Sequence, residues 1–149
     1  MQLSDIHKDH YRFSTSVRVR FAETDAQGVV YNGSYFTYLE VGRVEYFRRI
    51  GLSFQGSQYD LTLAEASCRY HSPAKFDDIL DIYVRVAHVQ NTSFVFEYLI
   101  QHRDTGRRVA TARTVMVVLD RKTKKPVKLP QALRDTIEKM EKNPPSGGT

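Results

Sequence analysis

At 149 residues, 41% of them hydrophobic, the chain is long enough to bury the core of one domain without covalent or metal staples. Its single cysteine, Cys68, excludes an intrachain disulfide and a cysteine-based zinc site. The net charge of +5 raises a nucleic-acid reading, but much of the basic excess gathers at Arg121, Lys122, Lys124, Lys125 and Lys128 with no nucleic-acid motif beside it.

The first ten residues carry charges where a signal peptide needs an apolar run, and Val115 to Leu119 is far too short to cross a bilayer. The expectation is a cytoplasmic chain folded as one domain over 1–149, with 1–12 and 143–149 flexible. Val17, Val19 and Phe21 alternate with Arg18 and Arg20, which predicts a strand with one buried face. Asp25-Ala-Gln-Gly28 breaks the alternation as a turn. From Asn32 onward Tyr35, Phe36, Leu39, Gly42, Tyr46, Phe47 and Ile50 recur at helical spacing, and Gly51 supplies the stop. Gly42 near the middle of that helix permits close approach of another backbone.

Four extended segments follow. The first holds Leu61, Leu63, Ala66, Cys68 and Tyr70 and ends near Pro73. Asp77-Asp78 reads as a turn into Ile79 to Val89, and Ser93 to His102 comes next. Asp104-Thr-Gly106 turns the chain into Arg108 to Leu119. Short turns between long strands imply an antiparallel sheet. Pro130 to Lys142 reads as a short amphipathic helix with Leu133, Ile137 and Met140 on one stripe. The class is α+β.

Asp25 stands a few residues before a helix whose first N–H groups lack intrahelical partners, and such amides favour negative charge. A carboxylate near an oxyanion-binding helix end suits acyl transfer, although an Asp and a Gly in a turn are also ordinary turn chemistry. If the turn begins at Thr24, Glu23 diverges from Asp25 and is solvated. Histidines 7, 10, 71, 88 and 102 have no metal-ligand spacing, and no serine sits in a nucleophile elbow. No metal is expected.

The stretch Asp25-Ala-Gln-Gly28-Val-Val-Tyr31-Asn32-Gly-Ser-Tyr35 resembles the signature of hot-dog-fold acyl-CoA thioesterases of the 4-hydroxybenzoyl-CoA thioesterase type. Tyr70-His-Ser-Pro73-Ala-Lys75-Phe76-Asp77-Asp78 resembles a second motif of that family, and the order of elements agrees over roughly residues 15 to 120. The resemblance implies a five-stranded antiparallel sheet wrapped around one long central helix, with the C-terminal helix added. It further implies hydrolysis of an acyl-CoA thioester to free acid and coenzyme A.

Residue by residue, Asp25 matches the family's catalytic aspartate, Asn32 the helix-start position whose backbone N–H polarises the thioester carbonyl, and Gly28 the glycine that turns the chain between them. Tyr31 and Tyr35 match aromatic positions beside the site. Position 32 is histidine in one branch of these enzymes; asparagine here leaves a role for the backbone amide intact. Leu61, Thr62 and Leu63 resemble the strand lining the acyl pocket, Asn91, Thr92 and Ser93 the turn bordering coenzyme A, and Lys75 is a candidate for its phosphates. The other lysines are either solvated surface or steer an anionic substrate. No cofactor is implied beyond the coenzyme A of the substrate, and the family builds its sites between subunits of a homodimer or homotetramer. Binding of acyl-CoA or acyl carrier protein without turnover is the alternative reading.

Overall fold

The computed structural model describes residues 6–142, so the tail from 143 and residues 1–5 lie outside the described residues. Five antiparallel strands run β1 (Phe13–Arg18), β2 (Tyr59–Tyr70), β3 (Ile79–Val89), β4 (Ser93–His102) and β5 (Arg108–Asp120), with helix α1 (Ser34–Arg49) after β1 and helix α2 (Gln131–Lys142) at the end. In space the strand order is β1-β3-β4-β5-β2, which leaves β1 and β2 as the edges. This is the expected α+β hot-dog arrangement.

Helix α1 buries Tyr35, Tyr38, Leu39, Gly42 and Tyr46, a spacing of three and four residues that holds one stripe against the sheet. It rests chiefly on β1 and β3. Gly42 is the closest approach, because a Cβ there would stand 2.9 Å from Val84 Cγ2 and 3.1 Å from Ile82 Cγ2. The helix ends in a Schellman arrangement: Leu52 N–H donates to the Phe47 carbonyl at 3.0 Å, Gly51 N–H to Arg48 at 3.2 Å, and Gly51 takes φ +73°. Phe36, expected on the buried stripe, is instead 39% exposed, and Tyr38 takes the buried place.

The first strand also departs from expectation. It spans Phe13–Arg18 rather than reaching Phe21, and Val19 still bonds to the turn before β3 through Asp78 O and Asp77 N. Phe21–Glu23 then coils into a single 3-10 turn, which throws Phe21 out to 74% exposure. Part of the 1–12 segment expected to be flexible is packed: the Tyr11 ring lies 6.1 Å from that of Tyr83, tilted 57° to it, and sits under the Arg85 guanidinium at 5.0 Å.

Strand β4 is buried on both faces, with Phe94, Phe96, Tyr98 and Ile100 on one side and Val95 and Leu99 on the other. Strand β2 is its opposite, since Thr62 through Ser67 are exposed on both faces. The α2 stripe of Leu133, Ile137 and Met140 is buried as expected.

Candidate active site

The site begins with Arg20 and Glu23, which close the 3-10 turn on one another. Arg20 N–H donates to Glu23 Oε1 at 2.8 Å, and the Arg20 guanidinium donates to Oε2 at 2.9 and 3.0 Å. Next comes a tight hairpin: Asp25 N–H donates to Val29 O at 2.8 Å, and Gly28 N–H to Asp25 O at 2.9 Å. A three-residue hairpin of this kind needs its last residue in the left-handed region, and Gly28 supplies φ +81°. The Asp25 side chain folds over its own turn, where Oδ1 accepts Gln27 N–H at 2.8 Å. Its Oδ2 accepts no hydrogen bond among the described residues, and Asp25 is exposed in the single chain.

The returning arm is stitched to the turn before β3 by a Val29–Lys75 bridge and by Val30 N–H to Ala74 O at 2.9 Å. Tyr31 to Ser34 then forms a turn closed by Ser34 N–H on Tyr31 O at 2.9 Å, with Asn32 and Gly33 at its two central positions. The Tyr31 ring covers Gly33 so closely that a Cβ there would lie 2.7 Å from Cε2. Helix α1 starts at Ser34, two residues later than the periodicity suggests, and Gly33 offers no capping side chain. Neither the Asn32 nor the Gly33 N–H donates to any protein group among the described residues. Open amides at a helix start carry partial positive charge. The Asn32 carbonyl is held from the sheet side, by the Tyr70 hydroxyl at 3.0 Å.

This arrangement can be set beside known proteins. A family model described as the Thioesterase-like superfamily matches residues 19–137. The chain belongs to that superfamily of hot-dog-fold hydrolases. The acyl-CoA thioester hydrolase YbgC of Escherichia coli O6:H1 is 31% identical over 124 residues, which is 81% of this chain and 92% of that protein. The crystal structure of PA5185 from Pseudomonas aeruginosa PAO1 superposes with a TM-score of 0.81 at 27% identity, covering 88% of this chain and 92% of the other. Slr0204, a 1,4-dihydroxy-2-naphthoyl-CoA thioesterase from Synechocystis, shares the fold at a TM-score of 0.80 and 24% identity over 87% of this chain and 97% of its own.

Within this thioesterase-like fold, Asp25, Gly28, Tyr31, Asn32 and Lys75 share one loop system, and Tyr35 lies buried beneath it with its ring 5.3 Å from Tyr70. Burial pushes the Tyr35 hydroxyl up to about 12 and the adjoining Cys68 thiol up to about 11, so both stay protonated near neutrality. Leu61, Thr62 and Leu63 lie elsewhere in the chain, at the other end of β2. Leu63 and Tyr70 are seven residues apart on one strand, roughly 23 Å at about 3.3 Å per residue. Asn91, Thr92 and Ser93 share that far end: Ser93 and Thr62 both pair with Val117, and Val118 N–H donates to Thr92 O.

Glu23 corrects the sequence reading. It was expected to be solvated, yet its side chain is only 12% exposed and its Oε1 also accepts the Tyr38 hydroxyl at 2.9 Å. Burial pushes its pKa up, but the bonds from Arg20 N–H, Tyr38 and the Arg20 guanidinium outweigh that and hold it below the ordinary carboxylate range. The Arg20-x-x-Glu23 spacing was the available signal. The Tyr38 partner, fifteen residues away, was not legible.

No helix among the described residues is long and apolar enough to cross a membrane.

Proposed function

We propose that the protein hydrolyses acyl-CoA thioesters in the cytoplasm, with Asp25 as its reactive carboxylate and the Asn32 N–H as oxyanion donor. The observation that carries this reading is the open pair: Asp25 Oδ2 and the Asn32 and Gly33 N–H groups just ahead of helix α1, none with a hydrogen-bond partner among the described residues, on one connected loop. The name of the E. coli relative, an acyl-CoA thioester hydrolase at 31% identity, supports acyl-CoA as the substrate.

Asp25 attacks the thioester carbonyl carbon, or takes a proton from the water that does. In the first case the carbon–sulfur bond breaks to leave an acyl–Asp25 anhydride that water then hydrolyses; in the second the attacking water supplies the acid's oxygen as the same bond breaks, and in both the departing thiolate takes up a proton to give coenzyme A. As the carbonyl oxygen gains charge, the Asn32 N–H and the helix dipole stabilise it. Loss of one such donor typically costs about 100- to 1,000-fold, or roughly 3 to 4 kcal/mol. Acyl carrier protein is the second carrier to assay, and no further cofactor enters the scheme.

The experiment is release of free thiol from a panel of acyl-CoAs, with Asp25→Asn run in parallel. The isosteric amide keeps the fold and the oligomer but cannot act as nucleophile or base, so most turnover is expected to vanish. Near wild-type turnover by Asp25→Asn would overturn the assignment. Binding of acyl-CoA without thiol release would favour a non-catalytic carrier-binding module.

A further inference from the structure

The carboxylate that the reaction does not use is Glu23, and its surroundings are more elaborate than those of Asp25. Both its oxygens are occupied: Oε1 by Arg20 N–H and the Tyr38 hydroxyl, Oε2 by the Arg20 guanidinium. Its main-chain carbonyl accepts two more bonds, from Tyr31 N–H at 2.9 Å and from Ser34 Oγ at 3.1 Å. One residue therefore grips the start of the loop, the residue just before Asn32, the first residue of α1 and the second turn of α1.

We infer that Glu23 is a positioning residue, whose side chain anchors the Asp25 hairpin to helix α1 so that carboxylate and oxyanion amides keep a fixed separation. The inference rests on the roles proposed above for Asp25 and Asn32. Only Thr24 separates Glu23 from Asp25, so a shift at Glu23 passes directly into the hairpin. The same shift moves the Tyr31 and Ser34 ends of the turn that carries Asn32. Glu23 is poorly placed as a second base, because a carboxylate with every oxygen already bonded offers no acceptor to water. Misplacement of reacting groups by about 1 Å can cost about 100-fold in rate. A loss in kcat at nearly constant KM is the mark of such a role, since substrate contacts themselves stay in place.

The test measures kcat, KM and oligomeric state for Glu23→Ala, Glu23→Gln, Tyr38→Phe and Asp25→Asn on the best acyl-CoA of the panel. Glu23→Ala is expected to lose roughly 10- to 100-fold in kcat with KM little changed. Glu23→Gln keeps an oxygen for Arg20 N–H and Tyr38 but turns an NH2 toward the Arg20 guanidinium, so it recovers part of that loss. Should Glu23→Ala not fold, Tyr38→Phe removes one bond and retains the packed ring. It is expected to lose about three- to tenfold in kcat, less than alanine because the Arg20 bonds still hold the carboxylate and the misplacement is smaller. An unchanged kcat in Glu23→Ala, or in Tyr38→Phe if alanine does not fold, overturns the inference while a dead Asp25→Asn leaves the proposed function standing. Equal, severe losses in alanine and glutamine variants with a displaced acid limb of the pH profile also overturn it, because Glu23 would then be a reacting base. An active Asp25→Asn removes the function reading and the inference together.

Discussion

Asn32 poses a question that a single residue can answer: whether its side chain or its backbone carries the chemistry. Its carboxamide makes no hydrogen bond among the described residues, and its carbonyl takes the Tyr70 hydroxyl and, at 3.3 Å, Tyr35 N–H. The N–H donates to no protein group among the described residues. Asn32→Ala removes only the carboxamide, so a loss of less than about tenfold, about 1.4 kcal/mol, is expected. Asn32→Pro removes the N–H itself. Asn32 holds the first central position of the Tyr31–Ser34 turn, where proline is favoured, and both bonds to its carbonyl survive. The proline variant should therefore fold and assemble while losing about 100- to 1,000-fold in turnover. Thiol release by both variants, after their melting temperatures have been matched, decides the matter. Alanine as damaging as proline would move the role to the side chain, and two harmless substitutions would place the oxyanion site elsewhere.

Among the elements, α2 is fastened by a buried carboxylate as well as by its apolar stripe. Glu141 Oε2 accepts the Tyr46 hydroxyl at 2.5 Å and Val86 N–H at 3.1 Å. Burial raises the Glu141 pKa above the ordinary value and outweighs the lowering by these two bonds and by Arg85 and Arg12. A raised folded pKa means that the native state holds the proton more tightly than the unfolded chain. The contribution is thus fully present below the ordinary carboxylate pKa and is lost as pH rises through the raised value. Glu141→Gln keeps an acceptor oxygen and carries no charge, so it is expected to melt higher than wild type at pH 8, with the difference shrinking toward pH 4. Melting curves across that range check it, and a gap that widens in acid would refute it. The elements themselves were mostly legible, since α1 and α2 carry apolar stripes at helical spacing, β3 and the second half of β5 alternate in burial, and turn residues bound β2 and β4. The end of β1 was not, because Val17 and Val19 keep the alternation while the Arg20–Glu23 bonds coil the next residues out of it. In the candidate site, the Asp25–Gly28 hairpin was readable from turn chemistry. The burial of Glu23 depends on a tyrosine from the next element, and the separation of Leu61–Leu63 from Asn32 depends on sheet register; neither is written in local sequence.

At the scale of the molecule, the residues proposed for one site stand at two ends of one sheet. Asp25, Asn32 and Tyr70 occupy one end of β2, and Leu61, Thr62, Leu63 and the Asn91–Ser93 turn occupy the other. Among the described residues strand β2 is also an edge with a strand on one side only, and its middle is exposed on both faces, with Leu63 at 46%. Unpaired edges of this length are normally covered. A second copy pairing antiparallel along β2 about a twofold axis near the strand's centre resolves both facts, because it lays the Leu61–Leu63 end of one copy beside the Tyr70–Asn32 end of the other. The protein is therefore expected to be at least a dimer, and light scattering that shows only a 17.2 kDa species at micromolar concentration would refute this. Sharing of the site can be tested more sharply by mixing chains. Asp25→Asn and Leu63→Arg, each inactive and each confirmed dimeric, are unfolded together and refolded. If the acyl pocket and the carboxylate come from different copies, a mixed dimer regains one intact site, with Asp25 from one chain and Leu63 from the other. Half the dimers being mixed, about a quarter of wild-type turnover should return. If both groups serve the same site within one chain, every site in the mixture carries one of the two lesions and no turnover returns.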